Sequence, residues 1–396
     1  MKLFDPQLES QLIEIRRDLH MHPELSWEEY RTAGQVCKFL DQHGIAYHQG
    51  VAGTGIVVDL PGPAGVPFVA LRADMDALPI QEETELPFAS ENPGVMHACG
   101  HDGHTTMLLG AAVLLAQERA LPAPVRLIFQ PAEETGRGAE EMIKAGVLDD
   151  VGMIFGGHLD RHHDAGTVVV TDGTVNASSD RFRIEIAGRG GHGARPHETV
   201  DAVVAGSLVV MAIQTIVSRE VNPAHPSVVS VGKFDAGSAP NVIASHAVLE
   251  GTIRSQDEEV RRHLHDALRR ISRSVGQLHG ATVEALILEG TPPLVNNDRI
   301  TQIARAAAAG TVGADKVEEL KTTNMGGEDF SHYVQHVAGC YVRFGAQIPG
   351  KENHPAHSSR FDINERALPV GAAYFHAVAL AAGRKVSEKE EPENVF

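Results

Sequence analysis

The chain has 396 residues, 42% of them hydrophobic and 22% charged, with 52 acidic against 34 basic side chains and a formal charge of −18. That composition is globular and too long for one ordinary core, so about two domains are expected. The acidic balance, with no basic run, argues against nucleic acid or anionic membrane as partners. Cys37, Cys99 and Cys340 are scattered and odd in number, which is no disulfide framework and points to a reducing cytoplasm.

The opening stretch, residues 1–20, carries Glu9, Glu14, Arg16, Arg17 and Asp18 and lacks the apolar centre of an export signal. Leu8, Leu12, Ile15 and Leu19 have helical spacing, and His20-Met-His-Pro23 stops that helix. A second helix is expected over 32–43, ended by Gly44, and Trp27 between them reads as core. Apolar runs at 55–60, 68–73, 125–129 and 153–155 read as buried strands, with helices at 105–119 and 139–145. The longest apolar run, 107–116, suits a core helix by length and not a bilayer span. Strand and helix alternating in this way predicts a layered α/β sheet. Ligands in such sheets sit beyond the carboxyl ends of the strands. Those ends here read Arg72-Ala-Asp-Met-Asp76, Gln130-Pro-Ala-Glu-Glu134 and Gly156-Gly-His158.

From Arg181 the order changes to strand (181–187), helix (200–217), two strands (227–234, 247–253), helix (258–275) and strand (281–288). This βαββαβ unit, a sheet with helices on one face, is expected to form an independent domain over 181–292. The α/β pattern then resumes with a helix at 300–309, a loop at 324–330, a strand at 340–344 and the segment His357–Asp362. The larger domain is therefore expected to comprise 1–180 and 293–396, ending in a loose charged tail at 385–396.

The densest chemistry is His97-Ala-Cys-Gly-His-Asp-Gly-His104. On an extended segment Cys99 and His101 would point to one side, and thiolate with imidazole suits zinc or a related ion. A buried free cysteine beside a polar loop is the plain alternative. The acids and histidine at the strand ends favour one shared site. Glu133 and Glu134 should point different ways, one carboxylate binding metal while the other faces the attacking water. Spacing does not say which does which, and an acidic pair opening a helix needs no metal.

Six motifs then occur in order over nearly the whole chain. They are the octet 97–104, Gln130–Glu134, Gly188-Arg-Gly-Gly-His-Gly-Ala-Arg-Pro-His197, Ala239–Ala244 with Gly251-Thr-Ile-Arg254, Gly326-Gly-Glu-Asp-Phe330 and Pro355-Ala-His-Ser-Ser-Arg-Phe361. Together they resemble the M20 metallopeptidases, in the branch of amidohydrolases of N-acyl amino acids that includes hippurate and indole-acetyl-amino-acid hydrolases. The resemblance implies two divalent metal ions, manganese or zinc foremost and cobalt or nickel next, held by Cys99, His101, Glu134, His158 and His357, with the Cys99 thiolate able to bridge them. It implies Glu133 as general base and His192 as an oxyanion-steadying group reaching from the inserted dimerisation and lid domain of one subunit into its partner's site. Asn241 and Arg254 are expected to hold the substrate's carbonyl and carboxylate, in a cytoplasmic homodimer or higher homo-oligomer acting on a small N-acyl amino acid. The rival readings are a dinuclear exopeptidase acting on dipeptides, a thiol hydrolase with Cys99 as nucleophile, and a silent metal-binding protein.

Two departures stand out. Where the wider family has His-x-Asp, this chain has Asp74-Met-Asp76, so Asp74 carries no ligand role and Asp76 is expected to orient a ligating imidazole. After His158, in place of an aromatic residue and a proline, come Leu-Asp-Arg-His-His-Asp164, with His162 and His163 read as solvated loop residues. Asp102 and His104 are expected to cap the helix or support the ligands.

Overall fold

The computed structural model describes residues 5–388, so most of the charged tail lies outside the described residues. The chain begins with α1 (Pro6–Met21) and α2 (Tyr30–Gln42). Asp5 caps α1 by accepting the Gln7 N–H at 3.1 Å, with Pro6 in the first turn where no amide hydrogen is needed. Next come β1 (His48–Val51), β2 (Gly55–Leu60), β3 (Phe68–Asp74), α3 (His101–Ala116), β4 (Val125–Gln130), α4 (Gly138–Lys144), β5 (Val151–Asp164), β6 (Val168–Val169) and β7 (Gly173–Asn176). The intervening segment is β8 (Ser179–Ala187), β9 (Gly191–His192), α5 (Ala202–Thr215), β10 (Ser227–Ala236), β11 (Val242–Ile243), β12 (His246–Ser255), α6 (Glu258–His279) and β13 (Thr282–Thr291). The chain closes with β14 (Leu294–Asn296), α7 (Asp298–Val312), β15 (Val317–Glu318), α8 (Phe330–Val334), β16 (Gly339–Gln347) and α9 (Ala367–Ser387).

Two compact units result. One takes in the chain up to Val175 with Val295–Thr322 and the chain from Asp329 onward, and the other takes in Asn176–Leu294 with Thr323–Glu328.

In the larger unit eight strands form a mixed sheet in the order β1-β2-β4-β3-β5-β16-β6-β15. Its centre is parallel, with β3 between β4 and β5 and with β5 beside β16. Parallel strands are covered on both faces, which is why β3 reads as a continuous buried run. Helix α3 has 14 of its 16 residues buried. It packs on α1 and α9 so closely that a Cβ on Gly371 would fall 1.9 Å from the Met107 sulfur.

The smaller unit has four antiparallel strands in the order β10-β12-β8-β13. Phe182, Ile184 and Ile186 alternate inward along β8 and meet Val209 and Ile213 of α5 and Leu264 and Leu268 of α6 in one core. Asp201 and Asp257 cap the two helices through side-chain oxygens. This is the βαββαβ layout expected from the order of apolar runs.

Three local expectations are corrected. Trp27 is only half-buried and sits in a left-handed turn, φ 71°, so it is a corner and not core. Strand β5 runs on to Asp164, because Arg343 to Gly345 of β16 pair with His158 to Asp160 and, past an irregularity, Gln347 pairs with Asp164. His162 and His163 are therefore strand residues. Finally, Ala202–Glu220 is a longer apolar helical stretch than 107–116, by length and composition alone long enough to cross a membrane.

Candidate metal-binding active site

The parallel strands deliver their carboxyl ends to one edge of the large sheet, as such topology requires. Strand β3 leads into Met75 and Asp76, β4 into Pro131, Ala132 and a tight turn at Glu133–Thr135, and β5 carries His158. Helix α3 opens at His101, earlier than the spacing predicts, because Gly100 takes a left-handed conformation, φ 91°, and breaks the extended segment. The near approach of Gly103 to β5, where a Cβ would meet Leu159 Cδ1 at 2.5 Å, presses the helix start onto the strand beside His158. Cys99 and His101 thus meet through a loop-to-helix turn and not through strand alternation.

Around this edge the proposed donors gather. Cys99 Sγ lies 3.4 Å from His158 Nε2, and Cys99, His101 and His158 offer ligand atoms within 4.8 Å of one another. Glu134 bridges onward: Oε1 is 3.9 Å from His101 Nε2 and Oε2 is 3.5 Å from His357 Nε2, so that Cys99, Glu134 and His357 form a second such group. Glu133 Oε2 lies 4.0 Å from His101 Nε2, while Oε1 accepts the Asp329 N–H at 3.3 Å. His357 itself holds a left-handed backbone, φ 66°, with its N–H donated to Ala98 O at 2.8 Å. Strain of that kind gathers at functional sites.

Behind these groups stands a layer of buried polar residues. Asp76 Oδ1 accepts from the Glu133 N–H at 3.1 Å and faces His101 Nδ1 at 3.2 Å, while Oδ2 accepts from the Glu134 N–H at 3.0 Å and Ser26 Oγ at 2.7 Å. One carboxylate therefore fixes both glutamates and one imidazole. Glu29, fully buried, accepts the Ala132 N–H at 2.9 Å and steadies the left-handed residue that opens the same turn. Asp74 pairs with His104 Nδ1 at 2.7 Å, and His104 Nε2 accepts the Leu159 N–H at 2.9 Å. Arg72 joins Asp74 to Asp329, each at 2.6 Å. Asp102 turns to the rear and pairs with Arg16 at 2.9 Å and His20 at 2.8 Å.

Electrostatics in this pocket set buried acids against buried histidines. Burial and the nearby Glu134 carboxylate push the Cys99 thiol far up. Burial, opposed by His101 and reinforced by the charges of Asp76 and Asp74, pushes the Glu134 carboxyl up to about 7. For His101 burial works against the charge, yet Asp74 and the Asp76 hydrogen bond raise it well above the ordinary imidazole value. Burial and the neighbouring His104 and Arg343 keep His158 well below that value. His101 Nε2 and Glu134 Oε1 are buried without a hydrogen-bond partner, although such atoms are nearly always paired. Sulfur, imidazole nitrogen and carboxylate oxygen converging on two partnerless atoms fit a transition-type cation, which supplies the missing positive charge and deprotonates a coordinating thiol.

Known proteins share this arrangement of chain. The profile of peptidase family M20/M25/M40 matches residues 70–381. The chain belongs to the M20 peptidase family. An N-acetyl-L-cysteine deacetylase of Bacillus subtilis is 41% identical, over 93% of this chain and 87% of its own. The Arabidopsis thaliana IAA-amino acid hydrolase ILR1-like 4 is 40% identical, over 93% and 84%. The crystal structure of the Bacillus subtilis YXEP protein, a dinuclear metal-binding peptidase from the M20 family, superposes with a TM-score of 0.84 at 35% identity, covering 96% of this chain and 99% of that one.

In this M20 hydrolase the remaining expected residues lie in the smaller unit. His192 is exposed on β9 opposite Val242 of β11, with Nδ1 accepting the Ala194 N–H at 3.1 Å. Asn241 is brought beside it, its carbonyl accepting the Gly193 N–H at 2.8 Å. Arg254, half-buried on β12, donates to Met325 O at 3.1 Å. Sequence reasoning missed Ser26, Glu29, Arg72 and Asp329. The burial of Arg72 and Asp329 inside apolar or glycine-rich runs was the one available signal for that pair.

Proposed function

We propose that this M20 enzyme hydrolyses the amide bond of N-acyl or N-aroyl amino acids, releasing a carboxylic acid and a free amino acid, with two divalent ions held by Cys99, His101, Glu134, His158 and His357. Manganese or zinc suits that donor set best. The observation that carries the reading is the pair of buried, partnerless atoms, His101 Nε2 and Glu134 Oε1, facing each other at 3.9 Å between the Cys99–His158 contact and His357. When bound, the ions lower the pKa of water toward about 7 and polarise the scissile carbonyl. Glu133, with one carboxylate oxygen tethered to the Asp329 N–H, takes the proton of the attacking water and hands it to the leaving nitrogen. Asp76 fixes the turn from which Glu133 acts and the ring of His101. Asn241 and Arg254 hold the substrate's carbonyl and carboxylate, and His192 donates to the oxyanion.

The protein works in the cytoplasm as a homodimer. Supporting the dimer, α5 leaves Val203, Val204, Leu208 and Met211 exposed, and edge strand β10 leaves Phe234 exposed beside Gly206 of that helix. An apolar helix face next to an open strand edge suits a second copy of the same surface. Against Cys99 as nucleophile stands its burial beside the Glu134 carboxylate, which pushes the thiol up despite His101 and is the reverse of what activates a thiol.

The test is a panel of N-acetyl and N-benzoyl amino acids with release of free amine as readout, beside elemental analysis. Activity lost in EDTA and restored by manganese, zinc or cobalt is expected. Full activity in chelator, abolished by a thiol alkylator, would sink the proposal. Mixed dimers of inactive His192→Ala and inactive Glu133→Gln chains should regain activity, and verified mixed dimers that stay silent would remove His192 from a shared site.

A further inference from the structure

Arg161 lies on β5 three residues beyond His158, in the stretch where the chain departs from its family pattern. Its residue is 5% exposed, yet among the described residues no carboxylate pairs with it. Nη1 donates to Asn353 Oδ1 at 2.7 Å, Asn353 Nδ2 donates back to the Arg161 carbonyl at 2.8 Å, and the guanidinium stands over the Phe361 ring, 5.5 Å from its centroid. A guanidinium has five N–H donors, and Asn353 uses one of them. Nearby acids are engaged elsewhere: Asp160 faces His162 at 2.8 Å and Arg343 at 3.9 Å, and Asp362 faces Lys351 at 3.3 Å. Arginine is rarely buried unless paired, because desolvating a lone charge is costly. A pinned and stacked guanidinium with no carboxylate in contact, only the more distant charge of Asp160, can hold a site for an incoming anion.

Arg161 borders a cavity of about 380 Å³, the volume of a small-molecule site. Its rim decides which anion. Glu83 is met by Arg360 at 3.8 Å, Glu352 by His354 at 3.8 Å and Asp362 by Lys351 at 3.3 Å, whereas Glu85 on the same rim has no cationic partner among the described residues. With Lys351, Arg360 and His354 each facing an acid, a dianion such as phosphate would find Arg161 alone to balance its two charges. A carboxylate that carries its own ammonium group would satisfy Arg161 and Glu85 together. Leu86 and Ile348 add apolar lining for a side chain.

We propose that this cavity binds a free α-amino acid as its zwitterion, with the carboxylate on Arg161 and the ammonium group toward Glu85. The assignment stands on Arg161 and its cavity and is independent of the catalytic reading, although a free amino acid is also what the proposed reaction releases. The test is calorimetric titration of the full, metal-loaded chain with L-leucine, and with 4-methylpentanoate, 3-methylbutylamine and inorganic phosphate as single-charge or dianion controls. L-Leucine is expected to show a binding component that Arg161→Gln removes and that none of the controls reproduces. Because Arg161→Gln disturbs a buried residue, the exposed Glu85→Gln is the second variant, expected to weaken that component by about tenfold or more. A crystal soaked in L-leucine should show its carboxylate on Arg161. Binding unchanged in both variants, or an Arg161-dependent site that takes phosphate or 4-methylpentanoate as tightly as L-leucine, overturns the proposal.

Discussion

Replacing Asp76 by asparagine tests the idea that one carboxylate holds the catalytic turn. Its two oxygens face four donors: the Glu133 N–H and His101 Nδ1 on one side, the Glu134 N–H and Ser26 Oγ on the other. An amide must place its NH2 against one pair. The less costly choice is the second, since the Ser26 hydroxyl can turn and accept, and this leaves the Glu134 N–H facing a donor. A buried donor stripped of its acceptor costs about 1–3 kcal/mol, and the bonds that survive lose the gain of a charged acceptor, about 1 kcal/mol more. Asp76→Asn should therefore lose about 2–4 kcal/mol, within the 5–15 kcal/mol or so typical of folded domains. The loss should appear as a lowered urea midpoint in chelator-treated protein. The same change frees the backbone of Glu134, so metal retention in a chelator competition should fall about 10- to 100-fold. A midpoint loss worth less than about 1 kcal/mol together with unchanged retention would show that the turn is held by something else.

Three further outcomes are expected. Glu133→Gln should keep its metal content while turnover falls about 10²- to 10⁴-fold; wild-type turnover would remove Glu133 as base. In the smaller unit, burial raises the Asp180 carboxyl, but hydrogen bonds from Arg261, His265 and the Gly290 N–H outweigh it and bring the pKa down to about 2. Being lowered, it contributes stability that is complete above the ordinary carboxylate value near about 4 and is lost as pH falls toward about 2, a contribution of about 2 kcal/mol at neutral pH. Asp180→Asn should accordingly lower the urea midpoint at pH 7, with the gap to wild type closing between about pH 4 and pH 2; a constant gap would mean that the charge is not responsible. Met211→Glu, at a residue 69% exposed on α5, should turn a dimer into a monomer by light scattering, and an unaltered mass would move the interface elsewhere.

How far the sequence could be read depends on what each feature requires. Helices and strands with one apolar face announce themselves, as α1 does through Leu8, Leu12, Ile15 and Leu19, all buried, and the alternating β8 does through Phe182, Ile184 and Ile186. The βαββαβ unit follows from that order alone. What the period of the side chains cannot convey is where backbone angles change sign. Gly100, Ala132 and His357 are left-handed, and each redirects a segment bearing a proposed donor. Strand β5 likewise outran its apolar core, because Asp164 stays in the ladder through pairing with Gln347 of β16 and not through burial.

The site divides in the same way. Residues whose type is itself the chemistry, Cys99, His101, Glu133, Glu134 and His158, stand where apolar or small-residue runs give way to polar ones, and there a reader of sequence looks for them. Those that hold them do not. Arg72 is an unremarkable arginine until the fold sets it 2.6 Å from both Asp74 and Asp329, residues 257 positions apart in the case of Asp329. Its charge is then the counterweight to two buried acids, of which Asp74 positions His104 and Asp329 offers its N–H to Glu133. Removing one partner of a buried ion pair leaves the other uncompensated, a loss of about 3–5 kcal/mol, so the network constrains the turn from below as Asp76 does from above. On the proposed mechanism, a proton acceptor that must stay on one side of a cation pair needs both constraints, because Glu133 shares its turn with Glu134 and a rotation of that turn would exchange their proposed roles.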